Sequence, residues 1–379
     1  MIIAPLKKII FLLFLFTTVQ FNFAQNIQLS PETHVSVITC GVGNESYSLF
    51  GHTALRVQDS VNAIDVVYNY GAFDFNTPNF VMKFTKGDLQ YFAVVHSYTD
   101  FINQYQYEKR SVYEQELNIP LELKQKLFDN LNTSLASGES YYTYKFIDKN
   151  CTSMVVDILN KTLKSNVIVK KEDTTISYRS ILYPYFDGHF YEKLGTSIIF
   201  GKKVDQLGTQ LFLPYELQKS LNKVSFENHP MVKENKTLLE FKNEVPFSWW
   251  NNPYTYIMLL SFIVFINKKS INLLYLSIVA VIGLFFLFVG FYSQHLELGY
   301  NYNILLFNPT LLALLYLYWT ENKKGIYRIA LLNILSLLLY IFVIVNKAHF
   351  LIVLPLVLSS GIILVRIAIQ NKKRIPIII

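Results

Sequence analysis

The chain has 379 residues, 52% of them hydrophobic and only 16% charged, and its mean hydropathy is +0.28. That balance excludes an ordinary soluble domain, in which charged residues make up about a quarter of the total, and requires that part of the chain live in lipid. The net charge of +7 does not mark a nucleic-acid binder, because the basic residues are not gathered into one patch with interleaved aromatics. Many instead form short runs between apolar segments: Lys268 and Lys269, Lys323 and Lys324, and Lys372, Lys373 and Arg374.

From the N-terminus, Lys7 and Lys8 precede the apolar run IIFLLFLF and then the polar TTVQFNFAQN. This is the order of a secretory signal peptide over residues 1–24, with cleavage expected after Ala24; an uncleaved N-terminal anchor is the alternative. Residues 25–245 then read as one exported α+β domain. HVSVITC is a strand, GVGNES a turn, HTALRVQD and AIDVVYNYG a strand pair, and DLQYFAVVHS and RSVYEQELNI two more strands. Pro120 opens a helix with Leu123, Leu127, Phe128, Leu131 and Leu135 at near-helical spacing. A second helix begins at Cys151, with Asn150 at the N-cap and Met154, Val155, Ile158 and Leu159 on one face. The stretch from 164 to 245 is less regular, with ISYRSILYPYF and LFLPYELQKSL as its helical pieces.

Beyond Trp249 the texture changes, and a membrane domain is expected over 249–379. Five uncharged segments, 249–266, 271–292, 303–320, 329–346 and 350–365, each approach the length that spans a bilayer. With the exported domain outside, every loop assigned inside carries Lys or Arg, and the outward loops hold only Lys347. Trp249, Trp250, Tyr254 and Trp319 fall near span ends. The outward loop SQHLELGYNYN holds His295 and Glu297, either as a contact for substrate or headgroup or as part of a solvated loop.

Chemistry points to the only two cysteines, Cys40 and Cys151. A thiol in the first turn of a helix feels the positive end of the macrodipole, which favours thiolate, so Cys151 stands where a nucleophile should. His52, at the start of its strand, is the side chain suited to exchange protons with it. A third, polar group would orient the imidazole, and Asp65 and Asn69 on the next strand are in reach, Asn69 being preferred. Backbone N–H groups at the helix start would serve an oxyanion. Against the dyad stands a Cys40–Cys151 disulfide closing a long loop in a structural scaffold; Cys40 also reads as a small buried apolar residue. Tyr105, Tyr107, Glu108, Arg110 and Asp148 form further polar clusters, for headgroup binding or for structure. No repeat, P-loop, dinucleotide fingerprint or zinc-ligand cysteine spacing is present, and no cofactor or metal is expected.

The strings TCGVGNESYSLFGHTALRV, VVYNYGAFDF, PNFVMKFTKGDLQYF, QYEKRSVYEQEL and DKNCTSMVVDIL, in order over about 34–217, resemble the periplasmic domain of the Bacteroidetes Lnb-type lipoprotein N-acyltransferases. NYNILLFNP extends the likeness into the membrane half. The resemblance implies a circularly permuted papain-like fold of the NlpC and lecithin:retinol acyltransferase kind, with the histidine of the GHT motif at His52 and the cysteine of the DxNC motif at Cys151. It implies transfer of an acyl chain from a phospholipid to the N-terminal amine of a lipidated lipoprotein, at the bacterial inner membrane with the catalytic domain facing the periplasm. The competing expectation on the same dyad is a membrane-anchored cysteine peptidase or amidase acting on cell-wall peptides, marked by a polar, open cleft.

Overall fold

The computed structural model describes residues 27–45, 47–242, 245 and 247–372; the expected signal peptide, together with Lys373 and Arg374, lies outside the described residues. Strands β1 (His34–Cys40), β2 (His52–Asp59), β3 (Ile64–Ala72), β4 (Gln90–Ser97) and β5 (Val112–Leu117) form where sequence alternation places them. With β6 (Tyr142–Thr143) and β9 (Val232–Leu239) they make a seven-stranded antiparallel sheet of order β6-β4-β3-β2-β1-β5-β9. β7 (Ser225–Phe226) and β8 (His229–Pro230) pair separately.

The period of two splits each strand between two faces. Val35, Val37, Leu55, Val57, Tyr68 and Tyr70 pack on one face against α3 (Leu121–Ser137) and α4 (Cys151–Leu163), through Leu127, Leu131, Val155 and Leu159. Ile38, Cys40, Ala54 and Val67 pack on the other against Phe101 and Tyr105 of α2 (Tyr98–Tyr107). Between β3 and β4 lies the short α1 (Phe80–Lys86), which buries none of its residues. Shorter helices α5 (Tyr178–Leu182), α6 (Phe190–Ile199) and α7 (Pro214–Leu221) follow α4.

The C-terminal part is helical: α8 (Pro253–Ile266), α9 (Lys269–Tyr292), α10 (Ala313–Trp319), α11 (Lys323–Ile344) and α12 (Phe350–Asn371). Of the five expected spans, three helices among the described residues, α9, α11 and α12, are long and apolar enough to cross a bilayer. The segment read as the third span is a bent pair, Leu296–Leu305 with Pro309–Trp319, broken by 49°. Its kink falls where Asn308 caps a new turn opened by Pro309, a residue that cannot donate to the preceding turn. The first expected span is the 14-residue α8, which at 1.5 Å per residue reaches only about 21 Å. Asn252 and Pro253 fix its start, and Asn267 in the left-handed conformation stops it.

The two parts are tied by buried polar contacts. Arg179 Nε donates to Asp205 Oδ1 at 2.7 Å, and the other Asp205 oxygen accepts from Tyr302 Oη at 2.5 Å and lies 3.2 Å from Lys347 Nζ. The Gly201 N–H donates to the Glu297 carbonyl at 2.7 Å.

Candidate active site

Asn150 creates the start of α4. Its Oδ1 accepts from the N–H groups of Thr152 (3.0 Å) and Ser153 (3.1 Å), and the Ser153 hydroxyl returns the bond by accepting from the Asn150 N–H at 2.8 Å. This is a complete capping box. The Asn150 amide also donates to the carbonyls of Phe146 and Phe212, so the cap is itself held from outside the helix. Cys151 is therefore the first helical residue on a start fixed at several points. The Thr53 and Thr152 hydroxyls, 2.9 Å apart and buried, pin that helix start to β2.

His52 opens β2 and lies across from Cys40 in the β1 register. It shares the face of Ala54 and Asn69, whereas α4 packs on the opposite face, so His52 and Cys151 meet around the end of the strand. What permits the meeting is Gly71, at the bulge near the end of β3. A Cβ on Gly71 would stand 3.7 Å from both the Cys151 Cβ and the His52 Cε1, and the glycine's φ of +124° suits no other residue well.

Asn69 Oδ1 lies 3.2 Å from His52 Nε2, and Asn69 Nδ2 lies 3.0 Å from His96 Nδ1. From sequence, Asp65 and Asn69 on this strand are both in reach of His52, with Asn69 preferred. Register separates them: Asn69 pairs with Ala54, beside His52, while Asp65 pairs with Gln58 and makes a bidentate ion pair with Arg56 at 2.8 Å. His96 escaped notice because nothing in VVHS marks it; only the β3–β4 register, which sets it across from Val67, brings it to Asn69.

Burial pushes the Cys151 thiol up, but the charge and hydrogen bond of His52, the Thr53 N–H and the Thr152 hydroxyl outweigh it and hold the pKa below its ordinary 9.0. Cys40 is the opposite case: wholly buried beneath Tyr105, its thiol is pushed up to about 12. Both cysteines are free, so the expected disulfide alternative has no bond here.

The helix-start N–H groups are less available to an oxyanion than the sequence suggests, since Asn150 already occupies those of Thr152 and Ser153. The Cys151 N–H, which by position has no intrahelical acceptor, is what remains. Nearby, Tyr142 has a buried hydroxyl without a hydrogen-bond partner. Tyr91, Tyr142 and Tyr144 all stand close enough to Cys151 for its charge to raise their pKa, although burial is the larger cause. The surroundings of the thiol are thus aromatic.

The other polar residues singled out in the sequence lie apart from the Cys151–His52 pair. Arg110 donates to Glu108 at 2.8 Å and to the Gly41 carbonyl at 2.9 Å, and stacks on Tyr105; Tyr107 is exposed. Arg110 helps line a cavity of about 620 Å³ with Gly43, Tyr185 and Tyr215, which includes neither Cys151 nor His52. Asp148 is ion-paired with Lys203. His295 and Glu297 are buried rather than solvated, and His295 Nε2 lies 3.0 Å from the Phe84 carbonyl of α1.

Residues 22–182 match the family described as the Lnb N-terminal periplasmic domain. No curated protein and no solved structure matches the chain.

Proposed function

Starting from residues 22–182, which belong to the Lnb N-terminal periplasmic domain family, we propose that this protein is a lipoprotein N-acyltransferase working through a thioester on Cys151. The observation that carries the proposal is the Cys151 thiol brought together with His52 at Gly71 and held below its ordinary pKa, with Tyr91, Tyr142 and Tyr144 near enough to feel its charge, in a chain whose described residues include three helices able to cross a membrane. The order of His52 before Cys151, with the cysteine on a helix start against an antiparallel sheet, suits a circularly permuted papain-like domain. An aromatic wall suits an acyl chain better than a cell-wall peptide, which argues against the peptidase or amidase alternative.

In the first step the Cys151 thiolate attacks an ester carbonyl of a phospholipid. The C–S bond forms, the C–O bond breaks, and the protonated His52 gives its proton to the departing lysophospholipid alkoxide. In the second, the N-terminal amine of a diacylglyceryl-Cys lipoprotein attacks the thioester, His52 takes the amine proton, and thiolate leaves as the amide forms. Asn69 holds the imidazole in its plane, with His96 behind it. The Cys151 N–H and the Tyr142 hydroxyl are donors available to the oxyanion of both steps. The acyl donor and the acceptor are both lipid-borne, which fits a multi-pass protein of the bacterial inner membrane with its catalytic domain facing the periplasm.

The test is to incubate the full-length protein with phospholipid and a diacylated lipopeptide and to follow the lipopeptide's mass. Wild type adds one acyl chain. Cys151→Ala adds none, His52→Ala slows the reaction by about 10²–10⁴-fold, the range for a positioned acid and base, and Asn69→Ala slows it less. Cleavage of a peptide with no acyl gain would overturn the reading in favour of the peptidase.

A further inference from the structure

The segment 73–87 leaves the sheet beside the site and returns to it at β4, and four of its apolar side chains are exposed. Phe75 is 73% exposed, Val81 72%, Met82 51% and Phe84 44%. The helix α1 buries none of its residues, so these side chains have no apolar cover among the described residues.

Its attachment indicates what covers it. Three consecutive carbonyls of α1 accept from the three residues that follow the last turns of α9: Thr85 from Ser293 Oγ at 2.6 Å, Lys86 from the Gln294 N–H at 2.8 Å, and Phe84 faces His295 Nε2 at 3.0 Å. α9 is the longest of the apolar helices able to cross a bilayer, and Phe288 and Phe291 in its final turns are exposed. The exposed face of α1 thus continues the lipid-facing surface of a span at its outer end, with Lys83 placed for a headgroup phosphate and Lys86 ion-paired with Asp88. Inward from that surface the rings are contiguous. Phe75 lies 4.8 Å from Phe73, Phe73 4.9 Å from Tyr91, Phe84 6.3 Å from Tyr144, and Tyr144 stacks on Tyr91 at 4.4 Å. Tyr91 and Tyr144 are two of the rings around Cys151.

We propose that segment 73–87 is seated in the outer leaflet of the membrane, where Val81, Met82 and Phe84 embed among acyl chains and the ring series leads one chain of a bilayer phospholipid to Cys151. The route rests on the acyl-transfer reading; the seat does not. An environment-sensitive fluorophore attached to Met82→Cys, in full-length protein carrying Cys151→Ala and reconstituted in phospholipid nanodiscs, reports the seat directly. Lipids spin-labelled on the acyl chain quench it, whereas the same probe on Val61→Cys, in the turn at the far end of β2, is unaffected. In the second arm Val81→Glu/Met82→Glu, with Cys151 intact, loses at least tenfold of acyl transfer from nanodisc phospholipid, while its reaction with a water-soluble p-nitrophenyl ester stays at the wild-type rate. A probe at 82 blind to the lipid quencher, or shielded only as protein concentration rises, would overturn the seat and in the latter case give the face to a second copy. Equal loss of both activities in the Glu variant would overturn the route. Quenching at 82 in a wild type that transfers no acyl chain would sink the acyltransferase reading while upholding the seat.

Discussion

At the residue scale, one chain carries two cysteines driven in opposite directions by their surroundings. Cys151 gains His52 and a helix start, whereas Cys40 gains burial under Tyr105. Only thiolate alkylates, so iodoacetamide should label Cys151 alone in the native protein, with a pH midpoint below the ordinary 9.0, and Cys40 only after denaturation. His52→Ala should move the Cys151 midpoint upward, because it removes the principal groups opposing burial. Peptide mapping by mass across a pH series checks both; labelling of native Cys40, or an unmoved midpoint, counts against the assignment. The residues of this pair were legible in the sequence because Asn150 before Cys151 reads as a cap and a cap fixes a helix start. The partner of His52 was not fully legible, since Asp65 and Asn69 share a face and differ only in position along the register.

At the scale of elements, legibility followed burial. Helices α3 and α4 bury one face, which writes a helical period into the sequence, and strands β1 to β5 carry apolar side chains into the core on one or both faces. α1 buries nothing, α2 buries Phe101 and Tyr105 alone, and β9 carries Lys233, Glu234 and Lys236 along a sheet edge, so none of the three left a readable pattern. The bulge at Gly71 was invisible for a different reason: its requirement is a backbone conformation and a close approach, not a periodicity. Gly71→Ala adds ordinary contacts at 3.7 Å but forces an L side chain to a φ of +124°. The cost should be about 1–3 kcal/mol, read as a lower unfolding temperature, and the shift of β3 should slow the Cys151 reaction as well.

At the scale of the molecule, the change in apolar texture sets the expected boundary near 249, and the sequence shows nothing of how the halves join. The join is a charge network assembled from segments far apart in sequence, Arg179 and Asp205 from one half and Tyr302 and Lys347 from the other. Asp205→Ala would leave the buried Arg179 without a carboxylate and should destabilise the protein by about 3–5 kcal/mol, seen as earlier unfolding and faster protease cleavage at the junction. Burial raises the Asp205 pKa, but Arg179, Tyr302 and Lys347 together bring it below the usual 3.8. A carboxylate lowered on folding contributes stability that is present above its unfolded pKa of about 3.9 and lost as pH falls through the lower folded value. The junction should therefore loosen in acid, as pH falls below the ordinary carboxylate range.

The order of strands in the sheet also sets a schedule for biogenesis. β5 is flanked by β1 on one side and by β9 on the other, and β9 comes more than a hundred residues after β5 in the chain. While the polypeptide threads outward, β5 presents a bare edge and waits; its last neighbour emerges only about fourteen residues ahead of α8 at Pro253. Completion of the sheet therefore falls just before the apolar helices begin to emerge, so an aggregation-prone edge is sealed before the most apolar part of the chain follows.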